Sequence, residues 1–253
     1  MRPETAPFPR GSDALAELSA QAHGLNARLR HHAAADVLQA AVETIPKLAL
    51  VSSFGAESVA LLHVAAMVKR DLPVIFIDTE MLFAETLVYQ QELTERLGLR
   101  NLQIIRAKDS AERDPNGTLH QRDTDACCAL RKTVPLNAAL QVYGGWITGR
   151  KRFQSGTRAQ LPFFEVETPR DAAPRIKVNP LAHWAASDVA QYIAENRLPR
   201  HPLVARGYPS LGCAPCTSPV KPGEDPRAGR WRQSEKNECG IHFVDGKMAR
   251  TGA

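Results

Sequence analysis

Between residues 47 and 106 the sequence switches repeatedly between short apolar runs and helix-period stretches, and that alternation leaves few folds open. KLALVSS at 47–53, VIFID at 74–78 and the run at 102–106 read as buried strands. Residues 56–70 place Val59, Leu62, His63 and Ala66 on one helical face, and 83–97 form a second helix stopped by Gly98. Parallel strands need crossovers of this length, so each helix has to lie against a face of one sheet. WITG at 146–149 supplies a fourth strand, and 177–181 extends the sheet. Two helices, at 13–30 and 33–44, precede the alternation, and Pro46 ends the second. Residues 109–117 read as a loop, 124–141 as a helix that Pro135 bends or divides, and 187–196 as a short helix capped by Ser187. From Pro199 onward Pro, Gly and charge replace periodicity. The expected fold class is α/β, a parallel sheet wrapped by helices.

In open sheets of this kind ligands sit at the carboxyl ends of the strands, near a reversal of strand order. Three turns occupy such ends: Ser52-Ser53-Phe54-Gly55, Asp78-Thr79, and the loop that begins Gly149-Arg150-Lys151-Arg152. The first leads into a helix whose N-terminal N–H groups suit an anion, although a plain capped helix start has the same look. It is not a phosphate loop of the Gly-Lys-Ser/Thr type. The third (GRKRFQSGTR) gathers Arg150, Lys151, Arg152 and Arg158 beside Gln154, Ser155 and Thr157, which reads either as an oxyanion clamp or as a solvated basic loop. Arg227 and Arg230 repeat the chemistry around Gly229, next to Trp231. A net charge of +5 is modest for 253 residues, and the cations are mostly arginine, whose planar fork suits sulfate, phosphate or carboxylate and so favours an anionic partner over a membrane surface, although a solvated, slightly basic surface has the same look.

The five cysteines carry more information. Cys127 and Cys128 are adjacent on a helix, with Arg131 and Lys132 just after them, and Cys213 and Cys216 form a C-x-x-C turn behind Gly212. Four thiolates suit either a tetrahedral zinc or a cubane iron–sulfur cluster. Helix neighbours point about 100° apart, which is awkward on one small ion and easier on two corners of a cube; zinc stays the second choice. Cys239, in ECGIH, stands apart, with a glycine beside it and His242 nearby, as a candidate nucleophile. Residues 1–12 carry Pro3, Pro7 and Pro9 and no apolar run of the kind a secretory leader has, and no stretch is long and apolar enough to span a membrane. A cytoplasmic protein with reduced cysteines is the expectation.

Taken in order, SSFGAES, IDTEMLFAET, CCALRKTVPL, GRKRFQSGTRA, KVNPLAHW, LPRHPLVARGYPSLGCAPCT, GEDPRAGRW and ECGIH make the chain resemble the assimilatory adenylyl-sulfate reductases of the phosphoadenylyl-sulfate reductase family, from about Leu48 to His242. The resemblance implies a Rossmann-like, adenine-nucleotide-binding sheet. N-terminal helices would occupy 1–46, a nucleotide-binding domain with an iron–sulfur site 47–216, and a mobile catalytic tail 217–253. It implies a [4Fe–4S] cluster on Cys127, Cys128, Cys213 and Cys216, and Cys239 as nucleophile. Ser52, Ser53, Phe54, Gly55, Asp78, Thr79, Lys132, Arg150, Arg158, Arg227, Arg230 and His242 would surround adenylyl sulfate. The family usually has glycine after Asp-Thr; Glu80 stands there, and its carboxylate has to point away from an anionic ligand.

The reaction so implied is attack of the Cys239 thiolate on the sulfur of adenylyl sulfate, with AMP leaving, followed by sulfite release to thioredoxin or glutaredoxin. The cluster cysteines argue for the substrate without a 3′-phosphate. A tRNA-thiolating enzyme would need a Ser-Gly-Gly-x-Asp-Ser loop, and a nucleic-acid-binding module would need a recognition signature; neither is present, so no nucleic-acid partner is expected. Homo-oligomerisation is left open by the sequence.

Overall fold

The structure, a computed structural model, describes residues 12–169 and 172–232. Its centre is a six-stranded sheet of β1 (Leu48–Val51), β2 (Val74–Ile77), β3 (Leu102–Ile105), β4 (Gly145–Ile147), β5 (Phe164–Glu167) and β6 (Arg175–Val178), in the order β3-β2-β1-β4-β6-β5. All neighbours are parallel except β5, which runs antiparallel to β6. The order reverses between β1 and β4, and the carboxyl ends of those two strands flank the crevice.

Strand alternation sends two apolar sets to opposite faces. Leu50, Phe76, Ile147 and Val178 join a large core with α1 (Ser12–Arg28), α2 (Ala34–Thr44), α3 (Ser58–Val68), α4 (Ala84–Leu97) and α9 (Ala186–Glu195). Ala49, Ile75, Ile77 and Trp146 face the other way, onto Leu136 and Leu140 of α8 (Val134–Leu140). Each such buried aliphatic stabilises the fold by about 1.5–3 kcal/mol over an exposed one. Among the described residues no helix is long and apolar enough to cross a membrane.

Several details differ from the sequence expectation. The edge strand β5 (FEVE) lies between Pro162 and Pro169 and alternates apolar and acidic residues over only four positions. Its open backbone is met by Asn26 of α1, whose amide donates to Phe164 O at 2.7 Å and accepts from Phe164 N at 3.0 Å. The sixth strand spans Arg175–Val178 rather than 177–181. Residues 109–117 include a helical turn, Ser110–Arg113 (α5), and Leu119–Arg122 (α6) follows. Ser187 is not the cap of α9: Ala185 takes that position, and Asp188 accepts its N–H at 2.7 Å. Pro135 does divide its helix, because α7 (Thr124–Cys128) passes into a π-helical segment, Ala129–Thr133, before α8. The wider turn accommodates a ring that would collide with the carbonyl four residues back. Residues 217–232 fold back on the C-x-x-C turn: Thr217 bridges Arg230, and Trp231 N donates to Cys216 O at 3.0 Å.

Candidate active site

A cleft of about 290 Å³ opens at the carboxyl ends of β1 and β4, near the lower edge of the roughly 300–1,000 Å³ of small-molecule sites. Its lining includes Ser52, Ser53 and Gly55 from the first turn, Thr79 from the second, and Lys132 from the π segment. Arg150 and Arg158, from the loop after β4, and Arg227 and Arg230 complete the expected set that reaches it.

In the first turn Phe54 adopts φ 49°, and its ring is buried edge-on against Phe76, with ring centres 5.2 Å apart. The Phe54 ring therefore anchors the turn to the core and does not line the cleft. The backbone is braced by hydroxyls: Phe54 N donates to Ser52 Oγ at 3.1 Å and Gly55 N to Ser58 Oγ at 2.9 Å. Glu57, just before α3, accepts from Lys151 Nζ at 2.8 Å and Gln154 Nε2 at 3.4 Å. Burial depresses the Lys151 pKa and the Glu57 charge opposes that shift. This pair ties the first turn to the arginine loop. Glu57 was not singled out from the sequence; a carboxylate at a helix start, facing a basic loop, was the available signal.

The second turn divides its labour. Thr79 faces the cleft, while Asp78 does not line it and accepts from Glu80 N at 2.9 Å and Arg106 Nε at 2.8 Å. Glu80 adopts φ 60°, the left-handed region that favours glycine. Its carboxylate turns away from the cleft, accepting from Ser110 Oγ at 2.6 Å and Arg131 Nη1 at 3.1 Å.

In the arginine loop Arg150 is buried and held by Asn179 Oδ1, at 3.1 Å from Nη2, and by the Glu165 carboxylate. Its guanidinium braces β4 against β6 and β5 where the sequence suggested a clamp. Arg158 donates to Gln154 Oε1, and Arg230 donates to Leu211 O at 2.6 Å while stacking on the Trp231 ring, 4.4 Å from its centre.

Beside this cleft the four described cysteines converge, and none is in a disulfide. Cys127 and Cys128 end α7; Cys213 and Cys216 bracket the turn Ala214–Cys216. That turn docks beside the second turn through Ala214 N to Met81 O, 2.7 Å, and Thr79 Oγ1 lies 3.2 Å from Cys213 Sγ. Burial raises the Cys127 thiol to about 11, the other three thiols push the same way, and Arg131 opposes them. Cys216 is raised by burial and by Cys213 and Cys128. Thiols crowded in this way become thiolates when a metal compensates their charge. A buried donor, Arg131 Nε, has no hydrogen-bond partner among the described residues and belongs to a residue close enough to act on Cys127 electrostatically. Four thiols suit a thiolate-bound centre, a zinc ion or an iron–sulfur cluster. A cubane takes one thiolate per iron corner and so accepts wider spacing. The donor set fits such a cluster. Cys239 and His242 lie outside the described residues.

A family model for the phosphoadenosine phosphosulfate reductase domain matches residues 47–219. An adenosine 5′-phosphosulfate reductase of Mesorhizobium japonicum is 45% identical, covering 98% of this chain and 97% of its own. A phosphoadenosine 5′-phosphosulfate reductase of Gloeobacter violaceus is 41% identical over 78% of this chain and 82% of its own. Among solved structures, the phosphoadenylyl-sulfate reductase of Candida auris, in a phosphate complex, superposes with a TM-score of 0.68 at 28% identity, covering 79% of this chain and 96% of that one.

Proposed function

The chain belongs to the phosphoadenosine phosphosulfate reductase family, and from that premise we propose that it is a cytoplasmic, assimilatory adenylyl-sulfate reductase serving cysteine biosynthesis. The observation that carries the reading is the four-cysteine set beside a cation-lined cleft at the carboxyl ends of the strands. Cys127, Cys128, Cys213 and Cys216 hold a [4Fe–4S] cluster, which supplies local charge near the anionic substrate when bound.

The adenylyl group sits over the first turn and the Thr79 end of the second, with its phosphate–sulfate end toward Lys132, Arg158, Arg227 and Arg230. Those cations stabilise the charge that builds on the leaving phosphate. The Cys239 thiolate attacks the sulfur of the sulfate group, an S–S bond forms, the S–O bond to phosphate breaks, and AMP leaves with the electron pair. His242 and the cations hold the thiolate form. A thioredoxin or glutaredoxin thiolate then attacks Cys239 Sγ, sulfite departs, and the second thiol of that protein resolves the mixed disulfide, so the dithiol supplies both electrons.

Anaerobic incubation with adenylyl sulfate and no dithiol tests this. One sulfonate mass is expected on the Cys239 peptide, with stoichiometric AMP, and thioredoxin should convert it to sulfite. Cys239→Ser should keep iron and nucleotide binding and lose turnover. An adduct on another cysteine would overturn the assignment of nucleophile. Strong preference for the 3′-phosphorylated nucleotide would instead place the chain with the reductases of that substrate.

A further inference from the structure

Glu80 has no part in the reaction just described, yet it occupies a costly backbone position. Its φ of 60° is one that side chains rarely adopt. What it holds there is specific. Its Oε2 accepts from Ser110 Oγ at 2.6 Å and from Arg131 Nη1 at 3.1 Å, so one carboxylate oxygen joins the second nucleotide turn, the α5 turn and the π segment. Arg131 is further fixed by Thr79 O, 3.2 Å from Nη1, and by the fully buried Asp114 carboxylate, 3.1 Å from Nη2. With both terminal nitrogens held, the direction of Nε–H follows from the planarity of the guanidinium. That Nε is buried and has no hydrogen-bond acceptor among the described residues. Arg131 lies four residues after Cys127 on a continuous helical run and acts on its thiol.

We propose that Glu80 is a positioning residue, fixing Arg131 so that Nε–H is directed at sulfur of the four-cysteine site. The inference rests on the iron–sulfur reading above. The acceptor would be a sulfur of the bound cluster, and a hydrogen bond there would withdraw electron density from it. Because Lys132 follows Arg131 and lines the cleft, the same tether sets where that cation meets the substrate.

The test uses holoenzyme purified anaerobically, as wild type, Glu80→Gly and Ser110→Ala. Wild type without iron and acid-labile sulfide would end the cluster reading itself, separately from this inference. With the cluster present, Glu80→Gly should retain iron, sulfide and thermal stability, since glycine relieves the backbone. Its cluster midpoint potential should fall and its Fe–S stretching frequencies shift in resonance Raman spectra, and kcat should drop about tenfold. Ser110→Ala, which removes only a hydroxyl that holds Glu80, should shift the same spectrum in the same direction and to a smaller extent. It decides the matter if Glu80→Gly fails to fold. Unchanged potential and Raman bands in the folded variants would overturn the proposal.

Discussion

Arg230 lies over Gly212 so closely that a methyl group on residue 212 would sit 2.4 Å from its Nη2. The guanidinium fills the space a side chain would take, donates to Leu211 O and stacks on Trp231, so the strap at 217–232 and the C-x-x-C turn are shaped together. Gly212→Ala should therefore push Arg230 off the cleft without altering the identity of any cleft cation. The expected loss is on the order of 100-fold in kcat/KM for adenylyl sulfate, the scale of a displacement of about 1 Å. Gly156→Ala, in open space on the arginine loop, serves as the control and should stay near wild type. Full activity in Gly212→Ala would mean that Arg230 is not positioned by this contact.

The acid side of the stability profile should depend on His201. Its Nδ1 accepts from Leu203 N at 3.2 Å, which leaves Nε2–H to donate to Thr86 Oγ1 at 3.0 Å. Burial lowers its pKa to about 4 from 6.5, opposed by Glu85. Between those values the unfolded chain binds the proton and the folded one does not, so stability is lost as pH falls from 6.5 toward 4 and is unaffected by this group above 6.5. Urea titrations at pH 7 and pH 4.5 should show a fall in wild type that is smaller in His201→Gln by about 1–3 kcal/mol. Parallel profiles would exclude His201 as a source of acid lability.

Asn26 should act as a substitute neighbour for the sheet edge. Its side chain makes both hydrogen bonds that a strand partner would make to Phe164. Asn26→Ala leaves a buried N–H and C=O unmet, at a cost of about 1–3 kcal/mol, and opens β5 to pairing with other chains. Chemical denaturation and light scattering on heating read the two effects. An unaltered denaturation midpoint would show that water satisfies the edge.

The alternation from 47 to 106 was legible because each strand there is a short apolar run, β1 and β2 being buried on both faces, and each crossover carries a helical period. The edge strand was not: FEVE is half polar because Glu167 and Glu165 reach into buried contacts with Arg175 and Arg150, a pairing set only by the fold. The cysteines and the cleft cations could be picked from spacing and residue type. Their division into cleft-facing and bracing groups could not, since Asp78 and Phe54 are turned aside, and the Arg150 guanidinium is tied down, by Arg106, Phe76 and Glu165, partners that only the fold brings near. Glu80 shows the same limit: its neighbours in sequence give no hint that its carboxylate meets Arg131.

Removing iron should loosen one part of the molecule and spare the rest. The four cysteines come from two segments about 85 residues apart along the chain, α7 and the turn after Leu211. Without metal, burial and mutual repulsion hold Cys127 and Cys216 as neutral thiols, so chelation should be accompanied by proton uptake. The large core around Leu50, Phe76 and Val178 has no share in the site. Hydrogen exchange after anaerobic chelation should thus speed up in 124–133 and 211–231, with β1, β2 and α3 still protected. Uniform loss of protection would mean that the cluster holds the whole fold together; unchanged exchange near the cysteines would mean that they bind no iron.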